Sequence, residues 1–324
     1  MPSSVAIVDI AALFGPAGPA RDATDAALWQ GLRDTGAVII TGHPEADRVD
    51  ARARAMLALF DAPEAVRAPL FSRMAAPGNA FWYRGYHPRA PERLLQNDFY
   101  DMGPVDPAPG PALEGMEIFC EPTPLPDEAA LPGWAATMRA YYDHMNAVSQ
   151  AMIRSIGRSA GFDEGMIRAR FDGDHSTLRL LDYKPGAKSP VKGDDGAELS
   201  AGLHTDASGL SLLWQQAPGL QAQGPDGVHR DIPMVPNAIS VHVGDVMTRL
   251  TDGAVPATPH RVLASDTARR SIGFFLEPAL TAPVTAAART RDPVPVQDTY
   301  GWQLLETFAR RPNWSEVFRM PVAG

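Results

Sequence analysis

The sequence carries the tetrapeptide Leu203-His204-Thr205-Asp206 and, much further along, Pro259-His260-Arg261-Val262. If the first segment is extended, residues two apart project from the same face, so His204 and Asp206 can contact one ion. His260 lies in another segment of strand character and supplies a second imidazole. These three residues are therefore candidate metal ligands.

Two imidazoles and one carboxylate are the ligand set of non-haem Fe(II) oxygenases, and this set leaves coordination positions open. A structural zinc site, in contrast, is closed by four protein ligands. The ligand set thus favours a reactive metal centre formed by His204, Asp206 and His260.

A second polar cluster begins the run Arg269-Arg270-Ser271-Ile272-Gly273-Phe274-Phe275-Leu276, which turns apolar as a strand does when it enters a buried sheet. Alternation places Arg269 and Ser271 on one face and Arg270 on the other. A guanidinium offers two parallel donors to a carboxylate, and a hydroxyl adds another. Arg269 and Ser271 are predicted to bind the far end of a small diacid.

At these residues the sequence resembles the isopenicillin N synthase-like family of Fe(II)- and 2-oxoglutarate-dependent dioxygenases. Tyr183, in the strand before His204, stands where many members have a tyrosine that helps to bind the co-substrate carboxylate. Residues 5–10, 36–44 and 84–86 are similar to the family's N-terminal module. The family's motifs stand here as His204-Thr205-Asp206, Gly244-Asp245 to Thr251-Asp252-Gly253, Pro259-His260-Arg261-Val262 and Arg269-Arg270-Ser271.

The resemblance implies a mainly β protein with flanking helices, in which a double-stranded β-helix, or jelly-roll barrel, follows an N-terminal α/β module. It implies Fe(II) bound by His204, Asp206 and His260, with 2-oxoglutarate and O2 as co-substrates. The expected reaction is oxidation of an unactivated C–H bond by hydroxylation, desaturation or ring closure, with release of succinate and CO2. Arg269, Ser271 and Tyr183 would bind the 2-oxoglutarate.

Three other interpretations stay open. Relatives that carry the same arginine and serine include oxidative cyclases that do not use 2-oxoglutarate. The ligand set also suits a catalytic zinc hydrolase, although no general base is evident and Arg269 and Ser271 would have no role. A barrel that has lost activity and only binds a ligand would have no reason to keep all three metal ligands.

Composition restricts the partners. The 324 residues are 45% hydrophobic and 21% charged, values typical of a folded globular protein, and the net charge of −9 argues against binding to nucleic acid or an anionic membrane. We expect a monomer that binds a small molecule. The single cysteine, Cys120, excludes an intrachain disulfide, and neither a signal peptide nor a spanning segment is evident, so we expect a cytoplasmic protein.

Hydrophobic periodicity predicts helices over residues 22–34 and 51–60 and one long helix within residues 131–169. After Ser176, closely spaced short apolar runs suggest a sandwich or barrel. The predicted strands are Val5–Ile10, Ala37–Thr41, Leu178–Tyr183, Leu210–Gln215, Gln221–Gln223, Ile239–Val243, Arg261–Leu263 and Arg270–Leu276.

We divide this single structural unit into an N-terminal module (1–125), a helical support (126–172), the jelly-roll core (173–280) and a capping segment (281–324).

Residues 186–200 are a polar loop that is either a lid or plain solvated surface. The aromatic and cationic stretch from Phe81 to Arg93 either binds ligand or seals a sheet edge. The tail, which includes Trp314 and Phe318, is a candidate for substrate specificity. Six histidines are taken as structural: His43, His87, His144, His175, His229 and His242.

Overall fold

The strands of the protein are short and most of them lie after residue 176. The computed structural model describes residues 4–90, 95–104, 116–173, 175–286 and 293–310, together with Trp314 and Val317, so Arg93 and Phe318 lie outside the described residues. The strands are β1 Ala6–Asp9, β2 Ala37–Thr41, β3 Gly85–His87, β4 Asp98–Met102, β5 Thr177–Tyr183, β6 Leu199–His204, β7 Leu210–Gln215, β8 Leu220–Gln223, β9 His229–Asp231, β10 Ile239–Val243, β11 His260–Leu263 and β12 Arg269–Leu276.

Seven α-helices accompany these strands in the described ranges. They are α1 Pro19–Thr35, α2 Val49–Leu57, α3 Glu64–Arg67, α4 Trp134–Ala160, α5 Glu164–Phe171, α6 Asp245–Leu250 and α7 Tyr300–Ala309. Within the part of the chain that the structure describes, no helix is both long and apolar enough to cross a bilayer.

The strands form two sheets. The larger has the order β1-β2-β10-β7-β12-β5-β4-β3 and the smaller the order β6-β11-β8-β9. Among these twelve strands of the described ranges, β1 and β2 pair in parallel and all other pairs are antiparallel. Side chains of both sheets line one cavity, as in the jelly-roll barrel that the sequence predicted. The N-terminal strands β1 to β4 extend the larger sheet at both of its edges.

Alternation along β12 separates a packed face from a cavity face. Ile272, Phe274 and Leu276 are buried against the helical layer, where Phe274 meets Tyr142 of α4 edge to face at 5.2 Å. Full burial of one such side chain stabilises the fold by about 2 kcal/mol. Arg269 and Ser271 point the other way, into the cavity. The strand therefore joins the core to the candidate site.

The predicted long helix within residues 131–169 is wrong in one respect, because the segment forms two helices. Gly161 ends α4 with a φ of 76°, and its amide donates to the carbonyls of Arg158 and Gly157. The Asp163 side chain then accepts a hydrogen bond from the Met166 amide and begins α5. Apolar periodicity continues across this break, because both helices pack on the same core, and the periodicity conceals it.

Candidate active site

The three candidate metal ligands meet where the smaller sheet adjoins the cavity. His204 is the last residue of β6 and His260 the first of β11, and the two are paired across the antiparallel ladder. Their ring centroids are 4.3 Å apart. One ligand atom from each of His204, Asp206 and His260 can be chosen so that all three lie within 4.8 Å of one another. No other such group of three or more occurs among the described residues.

Asp206 reaches the site from outside a strand, whereas an extended His204-Thr205-Asp206 segment was expected. Strand β6 ends at His204, and the Asp206 carbonyl accepts a 2.8 Å hydrogen bond from the Asp245 amide. The loop also packs closely on Gly244, because a Cβ there would lie 2.0 Å from the Ser208 carbonyl oxygen. The Ser211 hydroxyl donates to Asp206 Oδ2 at 2.5 Å. Tertiary contacts, and not strand alternation, therefore position this carboxylate.

Both imidazoles are oriented by backbone carbonyls. His204 Nδ1 lies 2.7 Å from the Gly202 oxygen and His260 Nδ1 lies 3.0 Å from the Thr258 oxygen. An Nδ1–H that donates to a carbonyl leaves the Nε2 lone pair for a metal. The two Nε2 atoms each lie 3.7 Å from a carboxylate oxygen of Asp206. The donor set fits a divalent transition metal.

Electrostatics favour the ligand-competent ionisation states. Burial lowers the pKa of His204, and His260 lowers it further. Burial alone would raise the pKa of Asp206, but the two histidines and the Ser211 hydroxyl outweigh it and lower that pKa. A neutral imidazole and an ionised carboxylate are the forms that bind metal.

Arg269 lies at one end of the same cavity. Its Nη2 donates to Gln215 Oε1 at 3.1 Å, its Nε donates to the Pro218 carbonyl at 3.2 Å, and its Nη1 is 3.5 Å from Ser271 Oγ. The residue is only 3% exposed, and no carboxylate of the described residues lies within 4.0 Å of its guanidinium. Burial lowers the pKa of Arg269. Within the described chain, this is a buried cation without an anion beside it.

Tyr183 and Ser271 adjoin that guanidinium as the sequence predicted. Arg269 stacks over the Tyr183 ring at 5.1 Å, and burial raises the pKa of the Tyr183 hydroxyl. Arg270 faces the opposite side of β12, where it pairs with Asp182 at 3.2 Å and Asp61 at 2.5 Å. The prediction that Arg269 and Arg270 face opposite sides of the strand is therefore confirmed.

The cavity has a volume of about 530 Å³, which exceeds the needs of a metal and one small diacid. Residues of α7 line one side, among them Leu304 and Phe308, which keeps the capping segment a specificity candidate. Residues 186–200 do not line it. Asp195 of that loop instead forms two hydrogen bonds to Arg261, at 2.6 and 2.9 Å, so the lid interpretation gains no support.

The aromatic stretch from Phe81 mostly packs. Tyr86 is buried in the core, and His87 stacks on Phe99 at 4.6 Å. Of its described members, Tyr83 alone lines the cavity.

Of the six histidines taken as structural, His242 lies nearest to the candidate metal ligands. Its ring centroid is 5.3 Å from that of His260, yet it is not in the ligand group. Burial lowers its pKa to about 3.

Sequence reasoning missed several residues of the site, among them Gln215 and Arg179, which line the cavity, and Ser211, which contacts the Asp206 carboxylate. Ser211 and Gln215 reach the site through cross-strand register, which a single sequence does not display. Arg179 could have been found, because Thr177, Arg179, Leu181 and Tyr183 alternate along β5 and a cation among them must face a polar space.

Comparison with known proteins agrees with this geometry. A family model described as the 2OG-Fe(II) oxygenase superfamily matches residues 167–278, which include all six predicted site residues. This chain belongs to that superfamily. Similar members include an isopenicillin N synthase from Hapsidospora chrysogena, 31% identical over 52% of this chain and 57% of the relative. A 1-aminocyclopropane-1-carboxylate oxidase from Musa acuminata is 33% identical over 48% and 52% of the two chains.

Solved structures of the superfamily share the fold. A Neurospora crassa protein, solved in complex with alpha-KG and thymine, aligns with a TM-score of 0.70 at 24% identity, over 87% of this chain and 88% of that one. JOX2 in complex with 2OG, Fe and JA aligns with a TM-score of 0.68 at 18% identity, over 98% and 90%. In sequence, the chain spans only 57 to 62% of the isopenicillin N synthases that it matches first. These structural likenesses establish the fold.

Proposed function

We propose that the protein is an Fe(II)- and 2-oxoglutarate-dependent dioxygenase of a small molecule. It would oxidise an unactivated C–H bond by hydroxylation, desaturation or ring closure and release succinate and CO2. Bound Fe(II) would supply activation of O2, which side chains alone cannot. The net charge of −9 supports a small-molecule substrate over a nucleic acid.

The observation that carries the proposal is the buried charge of Arg269. A buried guanidinium is costly unless an anion compensates it, and Arg270 next in sequence has two carboxylate partners while Arg269 has none in the described chain. A bound dicarboxylate would supply the missing charge. The same cavity holds the His204, Asp206 and His260 group, so one ligand can serve both.

Each residue then has a defined task. His204, Asp206 and His260 would hold the metal through two Nε2 atoms and a carboxylate, with the Nδ1 contacts fixing both rings. Arg269 and Ser271 would bind the distal carboxylate of 2-oxoglutarate, and the Tyr183 hydroxyl would donate to it. The apolar walls, among them Leu181 and Leu213, would exclude water around the reacting C–H bond.

A second candidate is an iron oxidase of the same fold that does not use 2-oxoglutarate. Its support is the similarity to proteins named isopenicillin N synthase and 1-aminocyclopropane-1-carboxylate oxidase. In that case Arg269 would bind a carboxylate of the prime substrate instead.

The test is to add Fe(II) and 2-oxoglutarate without oxygen and to measure the visible charge-transfer band of a metal-chelated 2-oxo acid. We expect the band in the wild type and its loss in His204→Ala. Arg269→Gln should weaken 2-oxoglutarate binding by about 10- to 100-fold, because it removes a charge-assisted pair. Arg270→Gln is the matched control on the opposite face of β12 and should leave that affinity unchanged. Tight Fe(II) binding without any band would favour the second candidate.

A further inference from the structure

Arg179 is a second arginine of the cavity, separate from the Arg269 cluster. It lies in β5, whose residues Thr177, Arg179, Leu181 and Tyr183 all line the cavity. Its side chain is 27% exposed, and that exposure is to the cavity. A charged group on the cavity face of this strand, next to Leu181, requires an explanation, because leucine at this position would extend the apolar wall.

The guanidinium of Arg179 is held rigidly on one edge. Its Nε and Nη2 each donate to an Asp101 carboxylate oxygen at 2.7 Å. The rings of Phe99 and Phe275 lie 4.4 and 5.5 Å from it. Burial would lower the pKa of Arg179, but the Asp101 carboxylate outweighs it and raises that pKa. The group is thus charged, oriented and pre-organised.

The other edge of this guanidinium is open within the described chain. Neither N–H of Nη1 forms a hydrogen bond to any residue of the described ranges, and Nη1 is not among the enclosed polar atoms that lack partners. The open donors therefore face the cavity. Donors fixed in this way are suited to a ligand oxygen, because little side-chain entropy is lost on binding.

Strand register places Arg179 away from the proposed 2-oxoglutarate end. Tyr183 pairs with Arg269 at that end, whereas Arg179 pairs with Gly273. The two residue pairs are four residues apart in each strand, which corresponds to about 13 Å along the sheet. The next cavity-facing level holds Phe275 opposite Ser211, which hydrogen-bonds the Asp206 carboxylate. Arg179 accordingly lies within electrostatic range of the candidate metal ligands Asp206 and His204 and away from the proposed 2-oxoglutarate end.

We propose that Arg179 recognises the prime substrate by donating from Nη1 to an sp2 oxygen, a carbonyl or a carboxylate, of a flat small molecule. The inference rests on the proposed function and names the substrate chemistry of the same cavity. The flat shape follows from Tyr83, Phe275 and Phe308, whose rings line the cavity around this position.

The charge of Arg179 is already compensated. Asp101 supplies that compensation, so this arginine has no unbalanced positive charge to offer a polyanion. This differs from Arg269, which has no carboxylate beside it among the described residues. Arg179 therefore selects an acceptor oxygen and does not bind anions in general.

The test uses three probes with one ring and different polar groups: benzoate, benzamide and benzyl alcohol. Each is titrated by calorimetry into protein loaded with Mn(II) and saturating 2-oxoglutarate without oxygen, so that no turnover occurs and the Arg269 end is filled. In the wild type we expect benzoate or benzamide to bind at least about tenfold more tightly than benzyl alcohol, the size of one charge-assisted hydrogen bond. The first two probes separate a carboxylate from a neutral carbonyl.

The variant is the double substitution Arg179→Gln and Asp101→Asn, which avoids leaving Asp101 as a buried unpaired carboxylate. We expect the three affinities to converge to within about threefold. Arg249→Gln is the matched control, because Arg249 also lines the cavity but bonds to Gln303 at 2.6 Å, and it should retain the preference. Thermal unfolding of each variant checks that it is folded.

A wild type that binds no probe, or that binds all three equally, overturns the proposal. So does a preference that survives in the double variant or disappears in Arg249→Gln. The titration of 2-oxoglutarate that precedes each probe reports separately on the proposed function. Failure of that step is therefore distinguishable from failure of the role of Arg179.

Discussion

The candidate metal site depends on single residues that hold the proposed ligands in place. Asp206 lies beyond the end of β6, and its carboxylate has one neutral side-chain donor among the described residues, the Ser211 hydroxyl at 2.5 Å. The histidines, in contrast, are oriented by backbone carbonyls that substitution cannot remove. The carboxylate is thus the ligand most sensitive to mutation of a neighbour.

Ser211→Ala should weaken metal binding by about tenfold without unfolding the protein, because an outer-shell hydrogen bond orients the ligating carboxylate. Anaerobic titration with Fe(II) measures the affinity. Ser265→Ala, in a loop that does not line the cavity, is the control and should bind Fe(II) as the wild type does. Equal affinities for Ser211→Ala and the wild type would show that Asp206 is positioned by its backbone alone.

At the level of elements, the break between α4 and α5 directs the chain into the barrel. Gly161 adopts a left-handed φ of 76°, and a Cβ added there would meet no atom of a non-adjacent residue within 4 Å, so backbone strain is the only penalty for a larger residue. Gly157, four residues earlier and inside α4, has a helical environment. The two glycines therefore respond differently to the same substitution.

Gly161→Ala should lower the free energy of unfolding by about 1 kcal/mol, because alanine is strained in the left-handed region. Gly157→Ala should be neutral or raise it by up to about 1 kcal/mol, since alanine favours the helix and its Cβ would meet Ile167 at an ordinary 3.6 Å. Urea denaturation of both variants measures the difference. A Gly161→Ala protein as stable as Gly157→Ala would contradict the assignment of the break.

At the scale of the whole molecule, a histidine pair joins the N-terminal module to α4. His43, which follows β2, lies with Nδ1 3.0 Å from His144 Nε2, and both residues are buried. Burial lowers the pKa of both, and for His144 the neighbouring His43 and Arg52 contribute to a value of about 4. The folded state therefore takes up protons at this pair less readily than the unfolded chain.

Acid should therefore destabilise the fold through His144. The pKa of this histidine is about 6.5 in the unfolded chain and about 4 in the folded protein, so the unfolded chain binds more protons between these two pH values. The contribution to stability is complete above pH 6.5 and falls as the pH decreases towards 4. We expect His144→Gln to reduce this loss by about 2 kcal/mol, a value discounted for solvent screening. Urea denaturation from pH 7.5 to 4.5 measures it, with His229→Gln as control. Parallel curves for the wild type and His144→Gln would disprove the linkage.

Much of the architecture was predictable because local patterns report burial. The strands Ala37–Thr41, Leu210–Gln215 and Ile239–Val243 have the bounds expected from their apolar runs. Four strands were not predicted: β3, β4, β6 and β9. In β3, β4 and β9, aromatic, histidine or charged residues mask the alternation. Strand β6 begins at Leu199, so the last two residues of the predicted 186–200 loop belong to a strand. The place of β3 and β4 in the sheet comes from pairing of β4 with β5, which a local pattern does not contain.

The sequence by itself predicted the candidate chemistry. The residue types and spacing of His204, Asp206, His260, Arg269 and Ser271 sufficed to predict a metal centre beside an anion site, because ligand preference belongs to the side chain. Only the tertiary structure decided which charges are compensated. Asp61 and Asp182 neutralise Arg270, Asp101 occupies one edge of Arg179, and Arg269 lacks an acid among the described residues. Compensation depends on distances between residues far apart in the chain, and folding sets those distances.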